Sequence, residues 1–111
     1  MNITSAIQDH FQVLAISGVI DASNAGQFEQ AITGLSTDSI KGVILDLQNL
    51  EYMSSAGIRE IIKAKRMLDS KNLVLAFCSL QPFLREVFDL AGLSDRLLIY
   101  GTIEDAIHAH S

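Results

Sequence analysis

Apolar positions along the chain follow two spacings: short runs of strand length, and stretches in which they recur every three or four residues. Ile3 to Gln8 is a weak strand candidate, Asp9-His10 a tight turn, and Phe11 to Ile16 (FQVLAI) a stronger strand stopped by Ser17-Gly18. From Ser23 to Leu35, the residues Ala25, Phe28, Ile32 and Leu35 share one face of a helix. Gly42 to Leu47 (GVILDL) is a short apolar run suited to burial on both faces of a sheet. Ile58, Ile61, Ile62 and Met67-Leu68 trace a second helix with Arg59, Lys63 and Arg66 outward. Lys65 interrupts its stripe, so this helix is expected to bury only part of itself. Leu73 to Phe77 (LVLAF) reads as another buried strand. Pro82 fits the first turn of a third helix, where its missing N–H costs nothing. That helix is expected to bury Phe83, Val87, Phe88 and Leu90 and to end near Gly92. Leu97 to Tyr100 is a last short strand, and Thr102 caps a terminal helix, with Glu104 and Asp105 toward its positive end.

The predicted order is β-β-α-β-α-β-α-β-α, an α/β fold. Strands separated by helices of this length imply parallel pairing through right-handed crossovers, and the opening hairpin adds an antiparallel edge. The sheet should therefore be mixed and mostly parallel. Sites in such sheets collect at the carboxyl ends of strands, which singles out two loops: Ser17 to Asn24 and Leu50 to Gly57.

Composition narrows the function classes. The 111 residues suit one domain, residues 1–111, without a linker or repeat, and 49% of them are hydrophobic, enough for a core. With 8 basic against 13 acidic residues and a formal charge of −5, the chain has no basic stripe to neutralise phosphates, so no nucleic acid is expected as a partner. No apolar run approaches the roughly 18 residues of a bilayer span, and MNITSAIQDH lacks the basic-then-apolar order of a signal peptide. No direct membrane insertion is expected, and the cytoplasm is the expected location. Monomer is the default oligomeric state.

On residue chemistry alone, Ser54-Ser55 before an amphipathic helix reads as an N-cap, and Asp21 either caps the first helix or faces a partner. Asp46 fixes the turn after its strand. Cys78, alone in the sequence, is a buried apolar residue rather than half of a redox pair. His108 and His110 lie where chain ends fray, so neither a metal site nor a cofactor is expected. A serine hydrolase would need G-x-S-x-G and a positioned base, and a receiver domain would need an acidic pair and an aspartyl acceptor. Neither pattern is present, and catalysis is not expected.

The stretch Val43-Ile44-Leu45-Asp46-Leu47, then Leu50, Tyr52-Met53-Ser54-Ser55-Ala56-Gly57-Ile58-Arg59, strongly resembles the STAS family, named for sulfate transporters and anti-sigma antagonists. The resemblance takes in Gly18-Val19-Ile20-Asp21 and Phe88-Asp89-Leu90-Ala91-Gly92-Leu93, and so covers nearly the whole chain. It implies a STAS-like domain acting as an anti-sigma factor antagonist. In that group the motif is D-S-[ST]-G-[LI] with its first Ser phosphorylated, and alignment on Gly57-Ile58 places the acceptor at Ser55, with Ser54 as a competing hydroxyl where the family often has Asp. The implied partners are an anti-sigma factor that is a serine kinase of the GHKL ATPase type, bound when Ser55 is free, and a metal-dependent serine phosphatase that resets the switch. The residues implied at the partner surface are Asp21, Asn24, Ser54, Ser55, Gly57, Ile58 and Arg59. The same resemblance admits a second role, an adaptor subunit of a membrane transport or multi-protein sensor complex without sigma-factor partner switching.

Overall fold

The hairpin that opens the chain is closed by the two residues the sequence marks for it. In the computed structural model, which describes residues 1–111, β1 (Asn2–Gln8) pairs antiparallel with β2 (Phe11–Ile20) and Gln8 faces Phe11. Asp9 and His10 between them have φ of 50° and 69°, the backbone of a two-residue turn whose twist matches the strands.

The other elements follow in the order α1 (Ala25–Thr33), β3 (Gly42–Asp46), β4 (Leu50–Met53), α2 (Ser55–Ser70), β5 (Val74–Cys78), α3 (Pro82–Leu90), β6 (Leu98–Tyr100) and α4 (Ile103–His110). The sheet runs β1-β2-β3-β5-β6, parallel except for β1, with β4 attached to β2. The mixed, mostly parallel α/β architecture is as expected, with one strand more than the sequence predicted.

That extra strand corrects two boundaries. Ser17-Gly18 does not stop β2. Gly18, at φ 91°, sits at a register shift inside the strand, where its backbone kinks without a Cβ to obstruct it. Before the shift β2 pairs with β3, from Phe11 opposite Gly42 to Ala15 opposite Asp46. Beyond it β2 pairs with β4, Ile20 lying opposite Met53. Half of the predicted Leu50–Gly57 loop is therefore strand.

Alternation along the strands divides the core into two layers. Leu14, Ile16, Ile20, Val43, Leu45, Leu75 and Phe77 face α1, α2 and α3, whose Phe28, Ile32, Ile61, Ala64, Leu68, Leu84 and Phe88 complete the larger cluster. Phe11, Val13, Ile44, Ala76 and Cys78 face the other way and are covered by Ala106 and Ile107 of α4. Thr102 caps α4 as expected, its hydroxyl oxygen accepting the Asp105 N–H at 3.0 Å.

Two helix stripes differ from expectation. The buried line of α2 is Gly57, Ile61, Ala64 and Leu68; Lys65 lies beside it and bonds Asp69 at 2.8 Å. In α3 the buried residues are Leu84 and Phe88, while Phe83 and Val87 are half-buried and Leu90 is 82% exposed. The line Phe83, Val87, Leu90 has helical spacing too, but the helix is turned by one position and its last turn overhangs the core. The chain end is tied down rather than frayed, since His110 Nε2 lies 2.7 Å from the Tyr100 hydroxyl.

Candidate partner-binding site

Pairing of Ile20 with Met53 brings the two predicted loops together. Asp21 and Ser54 are the next residues on adjacent parallel strands, whose axes lie about 4.8 Å apart. A hydrogen bond from the Ser54 N–H to the Ile20 carbonyl, 2.9 Å, continues the ladder one step past the last strand pair.

Ser54 is the N-cap residue of α2, extended at φ −83° and ψ 176°, and its carbonyl accepts the Ile58 N–H at 3.1 Å. Its side chain makes no capping bond, and its Oγ is enclosed without a partner. Ser55, one residue on, is exposed. Burial thus separates the two hydroxyls in the same sense as the motif spacing, with Ser55 outward and Ser54 enclosed. The backbone N–H groups at the start of α2 lack intrahelical acceptors and sit at the positive end of the helix dipole, an environment that suits an anion.

The Asp21–Asn24 turn is held by its own side chains. Asn24 donates from Nδ2 to the Val19 carbonyl at 2.9 Å and accepts the Asp21 N–H on Oδ1 at 3.0 Å. Asp21 Oδ1 accepts the Ser23 hydroxyl at 2.5 Å and the Ser23 N–H at 2.9 Å. Those two bonds, the hydroxyl first, hold the Asp21 carboxyl below the usual carboxylate range, so it is ionised at neutral pH. Asp21 does not cap α1. The N-cap position is Asn24, and Asp21 contributes only its main-chain carbonyl, which accepts the Ala25 N–H at 2.9 Å. Asp46 does fix its turn, accepting the Gln48 N–H at 3.2 Å.

The remaining candidates sort by depth. Gly57 is buried, and a Cβ there would meet Met53 Cγ at 2.6 Å and Ile20 Cγ2 at 2.9 Å. Its place is therefore beneath the surface, letting the first turn of α2 approach the β2–β4 pair, rather than on it. Ile58 is half-buried against the core, and Arg59 is exposed and takes part in no ion pair. Lys63, placed outward with Arg59 by the sequence, is bound by Glu29 of α1 and by Glu60 at 3.0 Å, which raise its ammonium above its ordinary value. Two site residues were not singled out. Ser23 orders Asp21, and the Asp-x-Ser spacing signals that turn. Tyr52, part of the motif stretch but not of the expected partner surface, is 52% exposed on β4, two residues before Ser54, and its exposure follows from a strand that the sequence reading took as loop.

Cys78 is buried, and its thiol is pushed up to about 11 by burial, with the Asp46 charge adding to the effect. No group of three or more His, Cys, Asp or Glu gathers at metal-binding distance, and no helix is long and apolar enough to cross a membrane.

Comparison with known proteins agrees with this arrangement. The family model of the STAS domain matches residues 2–106. Over 92 residues the chain is 33% identical to BtrV of Bordetella bronchiseptica, which bears the name of an anti-sigma factor antagonist, covering 83% of this chain and 79% of BtrV. The crystal structure of an anti-sigma factor antagonist from Mycobacterium paratuberculosis superposes with a TM-score of 0.87 at 27% identity, over 98% of this chain and 92% of that one. The phosphorylated form of the Bacillus cell fate determinant SpoIIAA shares the fold, with a TM-score of 0.72 at 21% identity over 97% of this chain and 98% of its own.

Proposed function

The chain belongs to the STAS domain family, and from that premise we propose that it is an anti-sigma factor antagonist whose binding state is set by phosphorylation of Ser55. Unmodified, it binds an anti-sigma factor that is also a serine kinase of the GHKL ATPase type, and so frees a sigma factor. Phosphorylated, it releases that partner, and a metal-dependent serine phosphatase returns it to the binding state.

The observation that carries this reading is the exposed Ser55 hydroxyl at the start of α2, one strand away from the ionised Asp21, with the neighbouring Ser54 hydroxyl enclosed. The names of the relatives support the partner class, and the phosphorylated form known for SpoIIAA supports the modification.

Physical chemistry supplies the release step. A phosphoryl group adds about −1.5 to −2 charges. Free in water at a helix N-terminus, that charge is well tolerated by this domain. In a closed interface it must be desolvated or must face acidic groups of the partner. A loss of ~4 kcal/mol would reduce affinity about a thousandfold. No refolding of the domain is needed for this, because the charge acts where the partner sits.

The test is affinity capture from the lysate of the source organism with wild type, Ser55→Ala and Ser55→Glu as baits, followed by mass spectrometry. The expected result is a GHKL-type kinase retained by wild type and Ser55→Ala and absent from Ser55→Glu. Equal retention by all three baits would remove Ser55 from the switch. Dominance of permease or sensor-complex subunits would instead favour the adaptor role.

A further inference from the structure

The two edges of the sheet differ. β6, at one, is three residues long, whereas β1, at the other, is seven. Proteins ordinarily blunt an exposed edge with a short strand, a charge, a proline or a bulge. Shortness serves for β6. β1 (NITSAIQ) has no charged residue and no proline, pairs with β2 without a register shift, and is exposed at every position except Ile3.

The ladder with β2 fixes which main-chain groups of β1 face outward. Gln8 and Phe11 close a two-residue turn and so form a hydrogen-bonded pair. Bonded and non-bonded pairs alternate along an antiparallel ladder. Gln8, Ala6, Thr4 and Asn2 therefore direct their N–H and C=O groups to β2, while Ile7, Ser5 and Ile3 turn theirs away from it. These last three stand opposite Gln12, Leu14 and Ile16, on the face of the sheet that the helices cover. Ile3 packs against the larger core cluster there, and Ile7 stands 66% exposed.

We propose that β1 pairs with β1 of a second copy of this chain, antiparallel about a two-fold axis at Ser5. The strand reads alike in both directions from that residue. Ile3 falls opposite Ile7 of the other copy, Thr4 opposite Ala6, and Asn2 opposite Gln8. All three outward-facing residues then meet outward-facing residues, which gives about six main-chain hydrogen bonds between the copies. Each exposed Ile7 gains the half-buried Ile3 of the other copy as its cross-strand neighbour. A slip of two residues would match only two outward residues and set isoleucine against serine. The absence of charge leaves no repulsion across the axis, and such an interface is isologous, as a closed dimer requires. A strand of unrelated sequence would not need this symmetry; a second copy does.

Pairing of one short strand buries less than the roughly 1,200 Å² of a stable complex, so the dimer is weak, with a Kd on the order of 100 μM. Sedimentation velocity should find mostly monomer at about 10 μM and mostly dimer at about 1 mM. Ser5→Lys sets two like charges face to face on the axis and should raise Kd at least about tenfold, as should Ser5→Glu. An equimolar mixture of the two variants should associate to within a few-fold of wild type, because opposite charges then meet. Wild type that stays monomeric at 1 mM, a dimer unaffected by Ser5→Lys, or a mixture no more associated than its components would each overturn the proposal. Should a Ser5 variant lose its thermal unfolding transition, Ile7→Lys, at a largely exposed side chain, decides instead: loss of the dimer is expected, and an unchanged dimer would overturn the pairing.

Discussion

Gly57→Ala tests the close approach on which the site is built. Within a helix this exchange ordinarily stabilises by roughly 0.5–1 kcal/mol, because alanine loses less backbone entropy on folding. At Gly57 the new methyl would lie 2.6 Å from Met53 Cγ and 2.9 Å from Ile20 Cγ2. Met53 is 3% exposed and Ile20 fully buried, so neither has free space to move into. Two contacts under 3.0 Å put the cost in the upper part of the usual range of about 1–3 kcal/mol, at about 2–3 kcal/mol, which against an entropy gain of up to about 1 kcal/mol leaves a net loss of about 1–2 kcal/mol. At about 4 °C per kcal/mol for a chain of this size, Tm should fall by roughly 4–8 °C. Gly26→Ala is the control: that glycine is exposed in the first turn of α1, and nothing lies within 4 Å of its would-be Cβ. It should leave Tm unchanged or raise it slightly. Thermal melts and urea titrations with unchanged m-values provide the measurement. A Gly57→Ala protein at least as stable as wild type would refute the packing of α2 on the β2–β4 pair.

Two further outcomes follow from side chains described above. Ser54→Ala should stabilise the fold by about 1 kcal/mol, because its hydroxyl caps nothing and is enclosed without a partner, whereas Thr102→Ala should cost about 1 kcal/mol through loss of the bond from the Asp105 N–H; urea denaturation distinguishes them, and equal losses would contradict the capping geometry. Because the Cys78 pKa is raised on folding, from 9.0 to about 11, its neutral thiol contributes stability that is fully present below pH 9 and lost as pH rises toward 11. Cys78→Ser should flatten that alkaline decline, and the native thiol should resist an aromatic disulfide reagent at pH 8 until the protein unfolds.

Much of this architecture is legible in local chemistry. Asp9-His10 marks its turn because few residue pairs accept two positive φ angles in succession. GVILDL and LVLAF mark central strands because only strands covered on both faces need apolar side chains at every position. What was not legible depends on long-range pairing. β4 is four residues of Leu-Glu-Tyr-Met, with apolar ends and polar middle, and it becomes a strand only because the far half of β2 offers it a partner. Leu90 belongs to a stripe as regular as that of Leu84 and Phe88, and only the turn of α3 on the sheet decides between them. At the candidate site the sequence located both loops. The resemblance favoured Ser55 over Ser54 through motif spacing alone, whereas the difference in depth between the two hydroxyls depends on packing that residue chemistry does not reveal.

A single strand, β2, is bonded to β3 along its first half and to β4 along its second, so the two site loops leave the paired ends of β2 and β4 side by side. On the proposed function, the surface offered to the partner is built on paired strands and a helix N-terminus rather than on a free-standing loop. An association of that kind sacrifices little chain freedom, and its encounter rate is governed by diffusion and long-range charge. Modification of one hydroxyl on such a surface would act chiefly by shortening the lifetime of the complex. Time-resolved dissociation, more than the speed of capture, is where this domain would carry its signal.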